Sequence, residues 1–438
     1  MKRKLERYLS LSVACAVILL TCATARIAAA DNPVCADCPV DPDTFLTLLE
    51  THVAEDATTA TAYYDKIDPE GKRATYAGWL VETGFIANVA DYQETGPMAI
   101  NADKTVVHRN VADLGFVRVM SSRCDPRCGH RNPKIYSVIE NYLTFDDAAN
   151  RVNRLASVTM EWTSPANGTQ PSRRFVTFYA YTGPGERNVV NSGGVHVPFA
   201  PDLDTRGTKE IPGLCNSCHG GAPRNLKANG SYRRKGDTGA LFLPLDLDNF
   251  EFDPDRPSLS RAAQEKAYKK MNKMALITHA AIEEYDEVAG ISRVPAGHEL
   301  IEGWYGGPGM PNNTFHGEFV PLGWLPPAAP AGLDEFYLGA IAPACRSCHA
   351  QQGRALDFGT YAGFMVFEDA HQDLVLRIEC GLDDDPKSRA KNADDQAVMP
   401  LALETYKRFW DPATDPSTTT SQADLFKEFV TNVDCSDL

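Results

Sequence analysis

Cys215-Asn216-Ser217-Cys218-His219 recurs 130 residues later as Cys345-Arg346-Ser347-Cys348-His349, and this repeated pentapeptide governs the reading of the chain. On one helical turn, cysteines three apart share a face. Each can form a thioether to one vinyl group of a porphyrin, and the histidine that follows the second cysteine then lies beneath the iron. Two copies predict two covalently bound c-type haems, with Cys215, Cys218, Cys345 and Cys348 as attachment points and His219 and His349 as iron ligands. A zinc site would require a second cysteine pair or a His-x-His partner at short range, and neither copy has one. A thiol redox pair would favour a βαβ setting in a cytosolic chain.

The start of the chain has the form of an export signal. Lys2, Arg3, Lys4 and Arg7 precede an apolar run from Leu9 to Ala25, and Ala28-Ala29-Ala30 offers a cleavage site before Asp31. Residues 1–30 are therefore read as a signal peptide, which places the protein in the periplasm or outside the cell. Leu19-Leu20-Thr21-Cys22 loosely resembles a lipidation site, so membrane association is expected only if Cys22 is lipidated. Once the leader and haem cysteines are set aside, Cys35, Cys38, Cys124, Cys128, Cys380 and Cys435 remain. An even remainder in an oxidising compartment suggests disulfides, most simply Cys35–Cys38, Cys124–Cys128 and Cys380–Cys435. Cys124-Asp125-Pro126-Arg127-Cys128-Gly129-His130 is one residue too long for haem attachment, and Pro126 disfavours the helical turn, so it reads as a tight disulfide loop with a surface histidine.

The formal charge of −15 falls to about −19 once residues 1–30, with five basic residues and one acidic, are removed. Such a surface repels nucleic acid and anionic lipid, and it suits solubility and docking to redox partner proteins with a basic surface.

Composition divides the mature chain into three regions. Residues 31–210 lack the pentapeptide. Within them, Asp41 to Ala60 has helical spacing after Asp43 or Thr44, whereas Leu155–Trp162 and Phe175–Tyr181 read as strands around a Pro-, Gly- and Asn-rich loop. Residues 211–330 should wrap the first haem, with a helix over Arg261–Ala281 (Ala263, Ala267, Met271, Met274, Ile277) and a structured Gly/Pro-rich loop from Gly303 to Leu325. Pro326–Pro330 looks like a hinge before residues 331–438. The predicted fold class is α+β: a β-rich N-terminal domain followed by mainly α-helical haem domains. Asp246 and Asp248 faintly suggest calcium, but the glycine and distal glutamate of a calcium loop are absent, so a solvated turn is the reading.

Residues 334–438 resemble a class I cytochrome c domain. A short helix, Phe336–Ala342, leads into Cys345–His349. A middle section, then Val398-Met399-Pro400 and an amphipathic helix over Ser421–Val430 (Leu425, Phe426, Phe429, Val430), complete the order. The resemblance implies that the first and last helices cross beside the haem and that Met399 is its sixth ligand, with Met365 as fallback. The Asp383-Asp384-Asp385 loop and the extra Cys380 and Cys435 depart from it. The wider chain is similar to bacterial cytochrome c domain proteins that pair a haem-free N-terminal region with Leu214–Gly221 and Cys345–His349 motifs.

Sixth ligands separate carriers from enzymes, because a saturated iron passes electrons whereas an open one binds small ligands. For the first haem Met310, in Gly306-Gly307-Pro308-Gly309-Met310-Pro311, is the leading candidate. Met271, Met274, Met120, Met160, His279, His298, His316 and an open site are the alternatives. The leading functional reading is a dihaem electron carrier. The others are a peroxidase-like dihaem enzyme, of whose loops Phe315-His316-Gly317 is only a fragment, and a haem-based sensor or binding module.

Overall fold

The computed structural model describes residues 56–96, 98–130, 133–164, 174–203, 208–280, 284–286, 291–293, 296–327, 329–351, 358–364, 402–410 and 421–429. The expected helix start near Asp43, the Cys35–Cys38 and Cys380–Cys435 pairs, Met365 and Met399 lie outside these residues.

An antiparallel sheet organises the molecule. Among the described residues two α-helices precede it. In α1 (Ala57–Ile67) the Asp56 carboxylate caps the Thr59 N–H at 2.7 Å, and in α2 (Tyr76–Glu82) the Thr75 hydroxyl caps Gly78 at 3.0 Å. Strands β1 (Lys104–Asn110), β2 (Val117–Asp125) and β3 (Lys134–Tyr142) follow, then a short helix α3 (Phe145–Asn150) and strands β4 (Ala156–Thr163) and β5 (Phe175–Thr182). The β4 and β5 strands pair as their alternating sequences predict. A small ribbon, β6 (Asn188–Val190) with β7 (His196–Pro198), leads to the motif helix α4 (Gly213–His219). β8 (Phe250–Glu251) then adds to the outer edge of β1, giving the order β5-β4-β3-β2-β1-β8.

Directly opposed residues point to one face of a sheet. The register Tyr179↔Thr159↔Val138↔Ser121 marks the face that α1 and α2 cover. There Tyr64 stacks on Tyr179 at 5.9 Å, Tyr76 donates to Glu140 at 3.0 Å and Arg73 pairs with Glu161 at 2.6 Å. The other face carries Phe178, Met160, Ser137 and Ser122, and it meets α4 and the helix α5 (Arg261–Ala280).

Side chains satisfy backbone groups on the outer side of β5 and on the part of β1 that β8 leaves unpaired, which blunts both ends of the sheet. On β5, the Tyr63 and Tyr64 hydroxyls accept from the N–H groups of Phe178 (2.9 Å) and Ala180 (3.3 Å). On β1, the Gln264 amide accepts from the Val107 N–H at 2.6 Å and donates to its carbonyl at 2.8 Å. Gln264 is therefore buried where apolar spacing had favoured Ala263, which is exposed.

Beyond α5 come a second ribbon, β9 (Glu284–Asp286) with β10 (Ile291–Arg293), and helix α6 (Ala296–Trp304). One apolar core unites Tyr63, Phe178, Leu214, Met271, Leu300 and Trp304, so residues on both sides of position 210 share it. Between 211 and 330 the described chain is largely loop and short 3-10 turns around α4, α5 and α6, not mainly helix.

A second core forms around Trp324, Phe336, Tyr337, Phe358, Phe364 and Phe426. Helix α7 (Leu333–Phe336) begins three residues before the expected start. It passes through one π-helical turn (Tyr337–Ile341) and α8 (Ala342–Ala344) to the second motif helix, α9 (Arg346–His349). Helix α10 (Leu403–Trp410) and α11 (Gln422–Phe429) complete this part. Ser421 and Asp424 form a reciprocal capping box at the start of α11, and Phe429 stacks on Phe336 at 4.3 Å. The helices before the motif and at the end of the chain therefore pack on each other. No helix among the described residues is long and apolar enough to cross a membrane.

Candidate cofactor site

Helix α4 buries its back and leaves its chemistry half-open. Leu214, Cys215 and Asn216 are buried, whereas Cys218 and His219 are partly exposed. The Asn216 amide donates to the Gly220 carbonyl at 2.6 Å and to the Thr238 hydroxyl at 3.1 Å, which fixes the helix end. His219 Nδ1 lies 2.8 Å from the Leu241 carbonyl, and the Leu241 N–H donates back to the His219 carbonyl at 2.9 Å. A donor hydrogen bond at Nδ1 sets the tautomer and leaves the Nε2 lone pair for a metal. Burial pushes the His219 pKa down to about 4, so the ring is neutral at ordinary pH, as ligation requires.

Helix α9 is held from behind by a buried ion pair. Arg346 Nε and Nη2 donate to one Asp246 carboxylate oxygen at 2.9 and 2.7 Å, and the two side chains are 3% and 2% exposed. The guanidinium also lies 5.2 Å from the Trp304 ring. The Asn249 amide donates to Asp246 and to the Ser347 hydroxyl, at 3.0 and 3.1 Å. The Asp246 turn is thus neither solvated nor a calcium loop: it is the anchor of the second motif, and Asp248 pairs with Arg261 at 2.6 Å. On the open side of α9, Cys345, Cys348 and His349 are half-buried, and His349 stacks on Phe358 at 4.1 Å. Burial raises the Cys345 thiol to about 12.

The two motifs, far apart in sequence, meet. The Cys348 thiol holds the Cys218 pKa down, and the Cys218 thiol holds that of Cys348 up. Gly220, at φ +70°, rests on the backbone of Gln351, and a Cβ there would collide with the Gln351 carbonyl. Gly297 N–H donates to the Ala350 carbonyl at 3.3 Å, joining α6 to the same junction. Arg118 of β2 is paired with Asp113, and its positive charge acts to lower the pKa values of Cys218, His219 and Cys348. Helix α10 docks alongside through Glu404 N–H to the Asp113 carbonyl (2.8 Å) and Arg408 to the Val111 carbonyl (3.2 Å).

The sixth-ligand candidates scatter. Met310 is buried at φ +56° in the main core that also holds Trp304 and Phe315. Met271 and Met274 are core residues of α5. Met160 is the cross-strand partner of Phe178, whose ring lies 5.5 Å from His219, and Met120 is on the same sheet face. His279 is fully buried, with Nε2 2.6 Å from the Phe242 carbonyl. His298 lies 3.8 Å from Glu302, and His316 is exposed beside Glu318. Cys124 and Cys128 form a disulfide. With Asp103 they make the only metal-like grouping among the described residues, but disulfide sulfurs do not ligate.

Sequence reasoning missed Leu241, Asp113, Arg118 and Gln351. A carbonyl carries no side-chain signal, and nothing local ties β2 to a cysteine 100 residues on. No protein-family model, curated protein or solved structure matches the chain.

Proposed function

We propose that the protein is an exported, dihaem c-type electron carrier, attached to one haem through Cys215 and Cys218 and to the other through Cys345 and Cys348. His219 and His349 are the proximal iron ligands, and Met399 is the sixth ligand of the second iron. Residues 1–30 are removed as a signal peptide, and the β-rich region 31–210 carries no haem of its own. The observation that carries this reading is His219: neutral, on the half-open side of its helix, and oriented by the Leu241 carbonyl so that Nε2 is left for iron. A bound haem would supply reversible one-electron chemistry. The chain's own residues orient the imidazoles, hold α9 through Arg346 and Asp246, and shield the site with Phe178 and Phe358.

The packing of α7 and the π turn against α11 supports the class I-like reading of residues 331–438. The acidic surface favours a basic redox partner. Expression with a periplasmic haem-attachment system tests the proposal. The mass of the exported chain should rise by two haems, and both motif peptides should carry one after denaturation. A mature, folded chain with no covalent haem would refute it.

A further inference from the structure

We infer that residues 224–235, a loop rooted at the end of the first motif helix, form a basic docking lobe for an acidic patch on a partner protein. Only the naming of that partner as a redox protein rests on the carrier reading above: the acidic remainder of the surface suits one partner and this lobe another, as a carrier with a donor and an acceptor requires. The chain as a whole is acidic, yet from Ile211 to Gly236 it has no Asp or Glu, and Arg224, Lys227, Arg233, Arg234 and Lys235 fall within that stretch. Lys227, Arg233, Arg234 and Lys235 are exposed, and none of them has an ion-pair partner among the described residues. Arg151, Arg154, Arg187 and Arg346, by contrast, are all paired with carboxylates.

The lobe is anchored from below, which leaves these charges to solvent. Its two ends meet where the Ala222 N–H donates to the Thr238 carbonyl at 3.0 Å, and Arg224 donates to the same carbonyl through Nη2 at 2.9 Å. The Thr238 hydroxyl in turn accepts from the Asn216 amide of α4 at 3.1 Å. Tyr232 is buried with its ring 5.2 Å from Tyr63, and its hydroxyl accepts from the Arg224 N–H at 2.9 Å. Gly236, at φ +92°, lies so close to α1 that a Cβ there would collide with Ile67. Asp237, the first carboxylate beyond the lobe, accepts from the Gly239 N–H at 2.9 Å, and the exposed Asp65 and Lys66 beside Ile67 offset each other.

Arg234 and Lys235 stand consecutively in the left-handed region, at φ +48° and +60°. That region is disfavoured for residues with a Cβ, and glycine would hold such a turn without strain. No ion pair within the chain offsets the strain at either side chain. Strain of this kind persists where a side chain serves something other than the fold. The size of the lobe selects its partner. The charge of −15 repels an extended anionic surface such as a bilayer or nucleic acid, whereas a few cations on one loop match a compact patch of carboxylates.

Binding of the full chain to immobilised poly-L-glutamate at low salt tests the lobe. The chain should bind in spite of its net charge, and added salt should weaken the binding. Arg233→Gln/Arg234→Gln/Lys235→Gln should weaken it about tenfold or more, whereas Lys266→Gln/Lys273→Gln, at an exposed basic pair on α5, should leave it unchanged. No binding, or an equal loss in the two variants, would overturn the proposal. So would tighter binding to anionic phospholipid vesicles or duplex DNA than to poly-L-glutamate. A second variant separates docking from folding. Arg234→Asn/Lys235→Gly should keep or raise the urea midpoint, because both positions are left-handed, while the binding is lost. A lowered midpoint would show that these side chains hold the fold, and the docking assignment would fall. Neither readout needs haem: a haem-free chain that binds keeps the lobe and removes the carrier, and a dihaem chain that does not bind keeps the carrier and removes the lobe.

Discussion

Replacing Asp246 with Asn removes one charge from the pair that anchors the second motif. Arg346 and Asp246 are almost wholly excluded from water, and the guanidinium is walled by Trp304 at 5.2 Å and Tyr337 at 5.9 Å. Neutralising the carboxylate leaves a buried cation without its counter-charge, which costs about 3–5 kcal/mol. The Asn249 amide loses a charged acceptor as well, worth roughly 1 kcal/mol more. Against a total stability of about 5–15 kcal/mol, this is a large share. Urea unfolding of the full chain, followed by tryptophan fluorescence, should show the loss. The double variant Asp246→Leu/Arg346→Met should regain most of the stability, because a buried pair replaced whole by apolar groups is often neutral. A loss below about 1 kcal/mol in Asp246→Asn would mean that Arg346 finds water or another anion, and the anchoring argument would fail.

Three further outcomes follow from the same geometry. Gly220→Ala should destabilise by about 2–3 kcal/mol, from positive φ and collision with Gln351, read as a lower urea midpoint. Gly307→Ala, also at positive φ but with open space around it, should cost less and serves as the control. His279, fully buried, has its pKa pushed from 6.5 down to about 4 by burial, so the unfolded chain binds the extra proton between those values. Stability should then be complete above pH 6.5 and decline as pH falls towards 4, by about 3 kcal/mol from this one group, and His279→Gln should flatten that slope in a pH series of denaturation midpoints. Phe336→Ala, which removes the ring stacked on Phe429, should cost about 3–5 kcal/mol and loosen α11, read as faster amide exchange there.

Much of the scaffold is written locally. Alternation in Leu155–Trp162 and Phe175–Tyr181 suffices for β4 and β5, and Ser421 with Asp424 declares the start of α11. The Cys124–Cys128 bridge follows from spacing alone. Helix α10 went unread, because its partner is the distant Asp113–Val111 segment. The candidate site divides the same way. The cysteines and histidines announce themselves, whereas the Leu241 acceptor, the Asp246 anchor and the Gln351 shelf are tertiary facts. Asp246 in particular has the sequence appearance of a solvated turn, and only the buried Arg346 gives it meaning.

The shelf under Gly220 also has a place in time. During synthesis, residues 213–221 emerge well before Gln351, so the first motif appears with nothing beneath it. Closing a loop of 130 residues costs about 4 kcal/mol in chain entropy, so the shelf arrives late and only with the rest of the fold. Until then Gly220 has no carbonyl beneath it, and its helix is accessible from the side that the second motif later closes. The order in which the chain appears therefore keeps this face of α4 open until the second motif takes its place.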